Sequence, residues 1–117
     1  MATGMELAEG LLRGVGSEGM RAATRLLGAH RDGYWLREGR LPVESGEGGT
    51  VDWDQVGRML DAGQFKGSST EMAVLGVAAS LVDQRAVQLG RVVRTVGEAD
   101  LAAIIRALTE AAYGTDG

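Results

Sequence analysis

The chain contains one histidine, His30, in the stretch "AHRDGYWLREGR", which also holds Tyr34 and Trp35. Histidine is the side chain that most readily exchanges a proton near neutral pH, so His30 is the first candidate for general acid–base catalysis. That role would also need a carboxylate or a nucleophile beside the imidazole, and Asp32 would point to another side of a helix. We therefore favour a second interpretation, in which His30 ends a helix and interacts with the negative end of its dipole.

Other residues are of the types found in catalytic or metal sites, but they are not spaced as such sites require. Asp52 and Asp54 could form an acid pair, but at a predicted helix start they are better explained as capping and dipole charges. Glu71, three residues after Ser68, fits a capping box in the same way. The loop "ESGEGGT" at 44–50 lacks the lysine and the spacing of a phosphate-binding loop.

The composition excludes several kinds of site. The chain has no cysteine, which excludes disulfides, cysteine zinc sites and thiol catalysis. A single histidine also argues against the usual metal sites, so we predict neither a metal nor a cofactor. Because no nucleophile, base and oxyanion donor occur at a recognisable spacing, we expect no enzymatic activity.

Charge is distributed unevenly in this acidic chain, whose net charge is −4. Residues 13–40 contain six arginines and three acids, whereas residues 41–71 contain two basic and six acidic residues. We expect these segments to pair within the fold, and the negative total does not favour nucleic acid. The alternative is a surface for phosphate or an acidic protein, formed by Arg21, Arg25, Arg31, Arg37 and Arg40.

Hydrophobic periodicity and capping residues predict five or six short helices. The predicted N-caps are Ser17, Asp52 and Ser68, and the predicted helix ends are Gly33, Gly63 and Gly114. Between Met72 and Val82 only a glycine and a serine interrupt the apolar residues, so a helix at about 69–83 should be central and buried. Residues 1–16 predict a loosely docked helix, because three glycines weaken it.

The other segments complete an all-α prediction. Residues 89–96 have helical spacing, and the last helix is predicted to bury one face formed by Leu101, Ile104, Ile105, Leu108 and Ala112. For residues 34–50 we predict an irregular or short extended segment, and for residues 115–117 a disordered tail. We therefore expect one domain over 1–117, a compact bundle around the central apolar helix. That helix lacks the polar and basic surface that a DNA-reading helix needs.

The two tryptophans are the strongest candidates for contact residues, because the chain has only five aromatic residues. Tryptophan is frequent both in cores and at binding hot spots, and the sequence leaves both interpretations open for Trp35 and Trp53. The basic and aromatic neighbours of Trp35 favour a contact surface at 31–53. The candidate partner-binding residues are Arg31, Tyr34, Trp35, Arg37, Arg40 and Trp53.

Two runs near the C-terminus, "SSTEMAVLGVAASL" and "LGRVVRTVGEADLAAIIRALTEAAYG", carry a resemblance. They are similar to the C-terminal part of small uncharacterised proteins of actinobacteria or their phages. The shared residues form core helices, and the resemblance implies no activity.

Taken together, these patterns predict a small non-catalytic protein-interaction module, either an accessory or regulatory protein or a self-assembling subunit. The alternative is a nucleic-acid-associated regulator that uses the arginines of 21–40. No apolar run approaches the length of about 18 residues that a membrane span needs, and Glu6 and Glu9 do not suit a signal peptide. We therefore expect a cytoplasmic protein without a membrane partner.

Overall fold

A computed structural model describes residues 2–44 and 49–114 of the chain. Within these residues the fold is all-α, as predicted, and its six helices are α1 (Gly4–Gly10), α2 (Glu18–Ala29), α3 (Trp53–Asp61), α4 (Ser69–Asp83), α5 (Leu89–Thr95) and α6 (Glu98–Tyr113). Two short 3₁₀ turns, His30–Asp32 and Tyr34–Leu36, follow α2. The predicted tail at 115–117 and residues 45–48 of the glycine-rich loop lie outside the described residues.

The capping residues explain where the helices begin. The Ser17, Asp52 and Ser68 side chains each accept a hydrogen bond from the backbone N–H three residues later, as predicted. At α4 the box is complete, because Glu71 also accepts from the Ser68 N–H at 2.9 Å. No such box forms at α3 or α6: Gln55 accepts from Arg58, and the N-cap of α6 is Gly97, which has no side chain to accept a bond.

The core is shared by α2 and α4. The α4 bounds match the predicted central helix, and its side chains Val74, Leu75 and Ala78 are fully buried. However, α2 contacts more of the fold, because α1, α4, α6 and both 3₁₀ turns pack against it. One side of α4 stays half-exposed, so its apolar surface is not covered all round.

The N-terminal helix α1 packs more tightly than its glycines suggested. Gly4 lies so close to α2 that an added Cβ would be 2.2 Å from the Gly28 carbonyl oxygen. The carboxylate of Asp32 accepts a hydrogen bond from the Gly4 N–H at 2.8 Å. Small residues therefore allow close contact here, and the expected loose docking of 1–16 is not what the structure has.

Arg25 joins three helices. Its guanidinium on α2 binds Glu9 on α1, with a distance of 2.7 Å from Nε to Oε2, and Glu110 on α6. These carboxylates hold the pKa of Arg25 above its usual range, Glu9 having the larger effect. The charge of this arginine is therefore compensated within the fold.

The described parts of the predicted irregular stretch, residues 34–44 and 49–50, are irregular and make one extended contact. Val43 and Val51 form an isolated antiparallel bridge, and the Glu44 N–H donates to the Thr50 carbonyl at 2.8 Å. Val51 and Val56 are both buried beside the N-cap of α3, at the two positions of a hydrophobic staple. This hairpin-like contact fixes the entry into α3.

Candidate interaction surface

Trp35 belongs to the core and not to a contact surface. Its side chain is 1% exposed, and its indole N–H donates to the backbone carbonyl of Glu71 at 3.0 Å. The Phe65 ring packs edge-on against it, with centroids 5.7 Å apart. The expectation that Trp35 contacts a partner is therefore corrected, because its large apolar ring and its donor are both satisfied inside the fold.

Trp53 is also a core residue. It is the first residue of α3 and is only 6% exposed, in the same apolar cluster as Val56 and Trp35. Sequence placed it at a helix start, where burial is often partial. Its proposed role in partner binding is corrected, because its ring is buried in the apolar core.

Tyr34 is half-buried and is covered by arginines of its own segment. The Arg40 guanidinium carbon lies 4.1 Å from the centroid of its ring, and that of Arg31 lies 5.8 Å away. The ring also meets Trp35 edge-on, with centroids 5.2 Å apart. These cation–π and aromatic contacts occupy the ring that was predicted to meet a partner.

Arg37 and Arg40 bind their own segment. Arg37 donates to the backbone carbonyls of Asp32 and Ala2, and Arg40 donates to the Tyr34 carbonyl at 2.8 Å. Each also pairs with a carboxylate, Asp32 and Glu38 respectively. The two guanidinium groups therefore fix the chain after α2 and present little uncompensated charge.

Arg31 forms an ion pair with Glu71, although its own side chain is 57% exposed. The backbone N–H of Ser68 is the main cause that holds the pKa of Glu71 below its usual value, and Arg31 adds to the effect. Glu71 is thus a buried carboxylate with two structural partners, the start of α4 and the segment after α2. The structure brings the candidate residues Arg31, Tyr34 and Arg40 together. Both guanidinium groups lie over the tyrosine ring.

The backbone between α2 and Tyr34 takes an uncommon path. Arg31 and Asp32 have φ values of 49° and 53°, and Gly33 follows at 83°. Left-handed backbone is disfavoured for residues with a Cβ, and such positions often accompany functional sites. Here the Asp32 bond to Gly4 and the Arg31 bond to Glu71 account for both residues.

His30 is a buried structural residue. It is fully buried, and its Nδ1 lies 2.8 Å from the Asp100 carboxylate at the start of α6. Its Nε2 is enclosed and has no hydrogen-bond partner in the described part of the chain. A general base must reach a substrate proton, and an enclosed nitrogen does not. The favoured interpretation as a helix-end residue agrees with this geometry, because His30 is the C-cap of α2.

The exposed apolar side chains are concentrated in the last two helices. Seven large apolar residues are exposed in the described ranges, and five of them lie on α5 and α6. We call these five residues of the two consecutive helices, taken together, the C-terminal apolar face: Leu89, Val93, Ile105, Leu108 and Tyr113. This face was not predicted from the sequence, since Ile105 and Leu108 were expected on the buried side of the last helix.

Helix α6 has two apolar stripes, which explains why Ile105 and Leu108 were expected to be buried and are exposed. Ile104 is 3% exposed and packs inward with Ala103 and Ala107, whereas Ile105 is 54% exposed. The outer stripe consists of Leu101, Ile105, Leu108 and Ala112, spaced by four, three and four residues. That spacing is typical of a helix that packs against another helix, and it was the signal available in the sequence.

The part of the chain that the structure describes meets neither the requirements of a metal centre nor those of a membrane span. Residues 2–44 and 49–114 contain no cluster of three or more His, Cys, Asp or Glu side chains suited to a metal ion. None of the helices described above is both long and apolar enough to cross a bilayer.

The comparisons with known proteins give no assignment. No family model matches the chain, and no curated protein and no solved structure matches it. The resemblance to small actinobacterial or actinophage proteins therefore stays a prediction. The function has to be argued from the geometry of the molecule.

Proposed function

We propose that this protein is a small, non-catalytic, cytoplasmic protein-interaction module whose contact surface is the C-terminal apolar face. The observation that carries the proposal is the exposure of Leu89, Val93, Ile105, Leu108 and Tyr113 within two consecutive helices. Concentrations of exposed apolar side chains on soluble domains mark interaction sites, because burying them against a partner is favourable.

The pattern on α6 points to a helical partner. Leucine and isoleucine side chains alternate along its outer stripe with the spacing of a coiled-coil seam. The neighbouring Ala102 and Thr109 are small and uncharged, so another helix can approach closely. The partner is either a different protein or a second copy of this chain.

The segment first considered for this role supports it less well. Trp35 and Trp53 are buried, and Arg31, Arg37 and Arg40 are paired with carboxylates. Exposed apolar surface, in contrast, has no compensation within the fold. We therefore place the contact surface on α5 and α6.

The experiment compares the wild-type protein with Val93→Asp and Ile105→Asp as immobilised baits. The control is Val43→Asp, which puts the same charge at a similarly exposed valine outside the face. We expect the wild type and the control to retain a common partner that both face variants lose. Sedimentation velocity on the same proteins identifies a second copy as the partner, if the wild type dimerises and Ile105→Asp does not.

Two results would refute the proposal. In one, the face variants retain the same partner as the wild type. In the other, the wild type is monomeric and retains no protein. Retention of the wild type on heparin, lost steeply as salt rises, would instead favour the nucleic-acid alternative.

A further inference from the structure

A groove of about 670 Å³ lies between α4 and α5. Its lining includes Met72, Ala73 and Gly76 from the half-exposed side of α4, and Val87, Arg91 and Val92 from the following segment and α5. The volume falls within the range of small-molecule sites, and the lining combines apolar residues with the polar residues Ser69, Gln88, Arg91 and Thr95.

Gly76 keeps the floor of this groove open. It lies in the middle of α4, where glycine weakens a helix relative to alanine. A Cβ at this position would meet no atom within 4 Å, so packing does not require the glycine. Gly4, by comparison, is required by a close backbone contact. The missing side chain at 76 leaves space in the groove.

Arg91 gives the groove its charge. It is the one ionisable residue in the lining, which contains no carboxylate. Unlike Arg25, Arg31, Arg37, Arg40 and Arg85, it forms no ion pair with any residue in the described ranges. In an acidic protein this leaves a positive charge beside an apolar groove, which complements an anion attached to an apolar body.

We propose that the groove binds a small amphipathic carboxylate. The apolar chain lies along Met72, Gly76 and Val92, and the carboxylate meets the guanidinium of Arg91. This site goes beyond the proposed function and uses none of the residues of the C-terminal apolar face.

The test is calorimetric titration with decanoate, with decylammonium as a probe of equal chain length and opposite charge. Gly76→Leu fills the floor of the groove, and Gly90→Leu is its control at an open helical glycine outside the lining. Arg91→Gln removes the charge, and Arg94→Gln does so three residues along the same helix, outside the lining.

We expect decanoate to bind with a stoichiometry of one and decylammonium to bind more weakly. Gly76→Leu should weaken decanoate binding by about tenfold or more, because the leucine side chain would occupy the space of the ligand's apolar chain. Arg91→Gln should weaken it by about fivefold, as for a solvent-exposed ion pair. Both control variants should bind like the wild type, and thermal unfolding shows that each variant is folded.

Several outcomes would overturn the proposal. The proposal would be wrong if decanoate did not saturate the protein or if decylammonium bound equally well. It would also be wrong if Arg91→Gln and Arg94→Gln had the same effect on decanoate binding. Amide chemical shifts that move on α6 and not at Ala73 and Val92 would place the ligand elsewhere. A wild-type dimer that Gly76→Leu converts to a monomer would show that a second copy fills the groove.

Discussion

The segment His30–Arg40 and the C-terminal apolar face differ in how the fold uses their side chains. The first holds the histidine, a tyrosine, a tryptophan and three arginines, and nearly every polar group there has a partner in the same chain. The second holds ordinary aliphatic residues and one tyrosine, and they are exposed. The segment His30–Arg40 has the more reactive residue types, and its side chains are also the more completely paired within the fold.

This difference shows that residue type alone does not locate a contact surface. Indole, imidazole and guanidinium groups bond to backbone and carboxylate atoms as readily inside a fold as across an interface. An exposed isoleucine in a regular helical stripe has no such use within the fold. We therefore base the proposed contact surface on apolar side chains that have no partner within the fold.

Trp35→Ala should cause the largest loss of stability. Removing a fully buried tryptophan costs about 3–5 kcal/mol, and here it also removes the indole N–H that donates to the Glu71 carbonyl. Urea unfolding monitored by circular dichroism measures the loss, and Trp35→Phe, which keeps an aromatic ring, should lose less. A stable Trp35→Ala variant that has lost a partner would restore this segment as the contact surface.

Gly4→Ala should destabilise the protein by about 1–3 kcal/mol where α1 packs against α2, because the new Cβ would meet backbone atoms of Gly28, Asp32 and Gly33. Gly10→Ala is the matched control in the same helix, since its Cβ would meet nothing within 4 Å. The control should be neutral or more stable by up to about 1 kcal/mol. Equal unfolding midpoints for the two variants would contradict the tight docking of α1.

Local features of this fold could be predicted from the sequence, and long-range ones could not. The bounds of α4 and its capping box depend on residues within one helix, and they were predicted correctly. The burial of Trp35 depends on Glu71, and the partner of His30 is Asp100, both far along the chain. No periodicity within a short segment contains that information.

The C-terminal apolar face was missed for a related reason. Ile104 and Ile105 are adjacent in sequence, and each belongs to an apolar stripe of α6. Helical spacing shows that two stripes exist, but only the packing of α6 against α2 decides which one is buried. The sequence therefore predicted the helix correctly and its exposed side wrongly.

The pH dependence of stability should reveal the partners of Glu71. Its folded pKa is below the unfolded value, so its contribution is full above about pH 4.3 and is lost as the pH falls through the folded value. In Glu71→Gln that loss on acidification should be absent, and in Arg31→Gln it should be reduced. Unfolding measured from neutral to acidic pH tests this, and a Glu71→Gln profile parallel to the wild type would contradict it.

Ile105→Ala should have the smallest effect on stability, within about 0.5 kcal/mol, because its side chain is mostly exposed. Its neighbour provides the contrast: Ile104→Ala should cost about 2–5 kcal/mol. Thermal and urea unfolding of the two variants measure the difference. Similar losses for both would mean that the outer stripe of α6 is part of the core.

Site-specific photo-crosslinking in cells tests the central claim most directly. A photoreactive phenylalanine analogue is placed at Ile105 on the C-terminal apolar face or at Arg31, the most exposed of the paired arginines in His30–Arg40. The account predicts a discrete crosslinked product, with a partner or a second copy, from position 105 and none from position 31. A product from position 31 alone would contradict it.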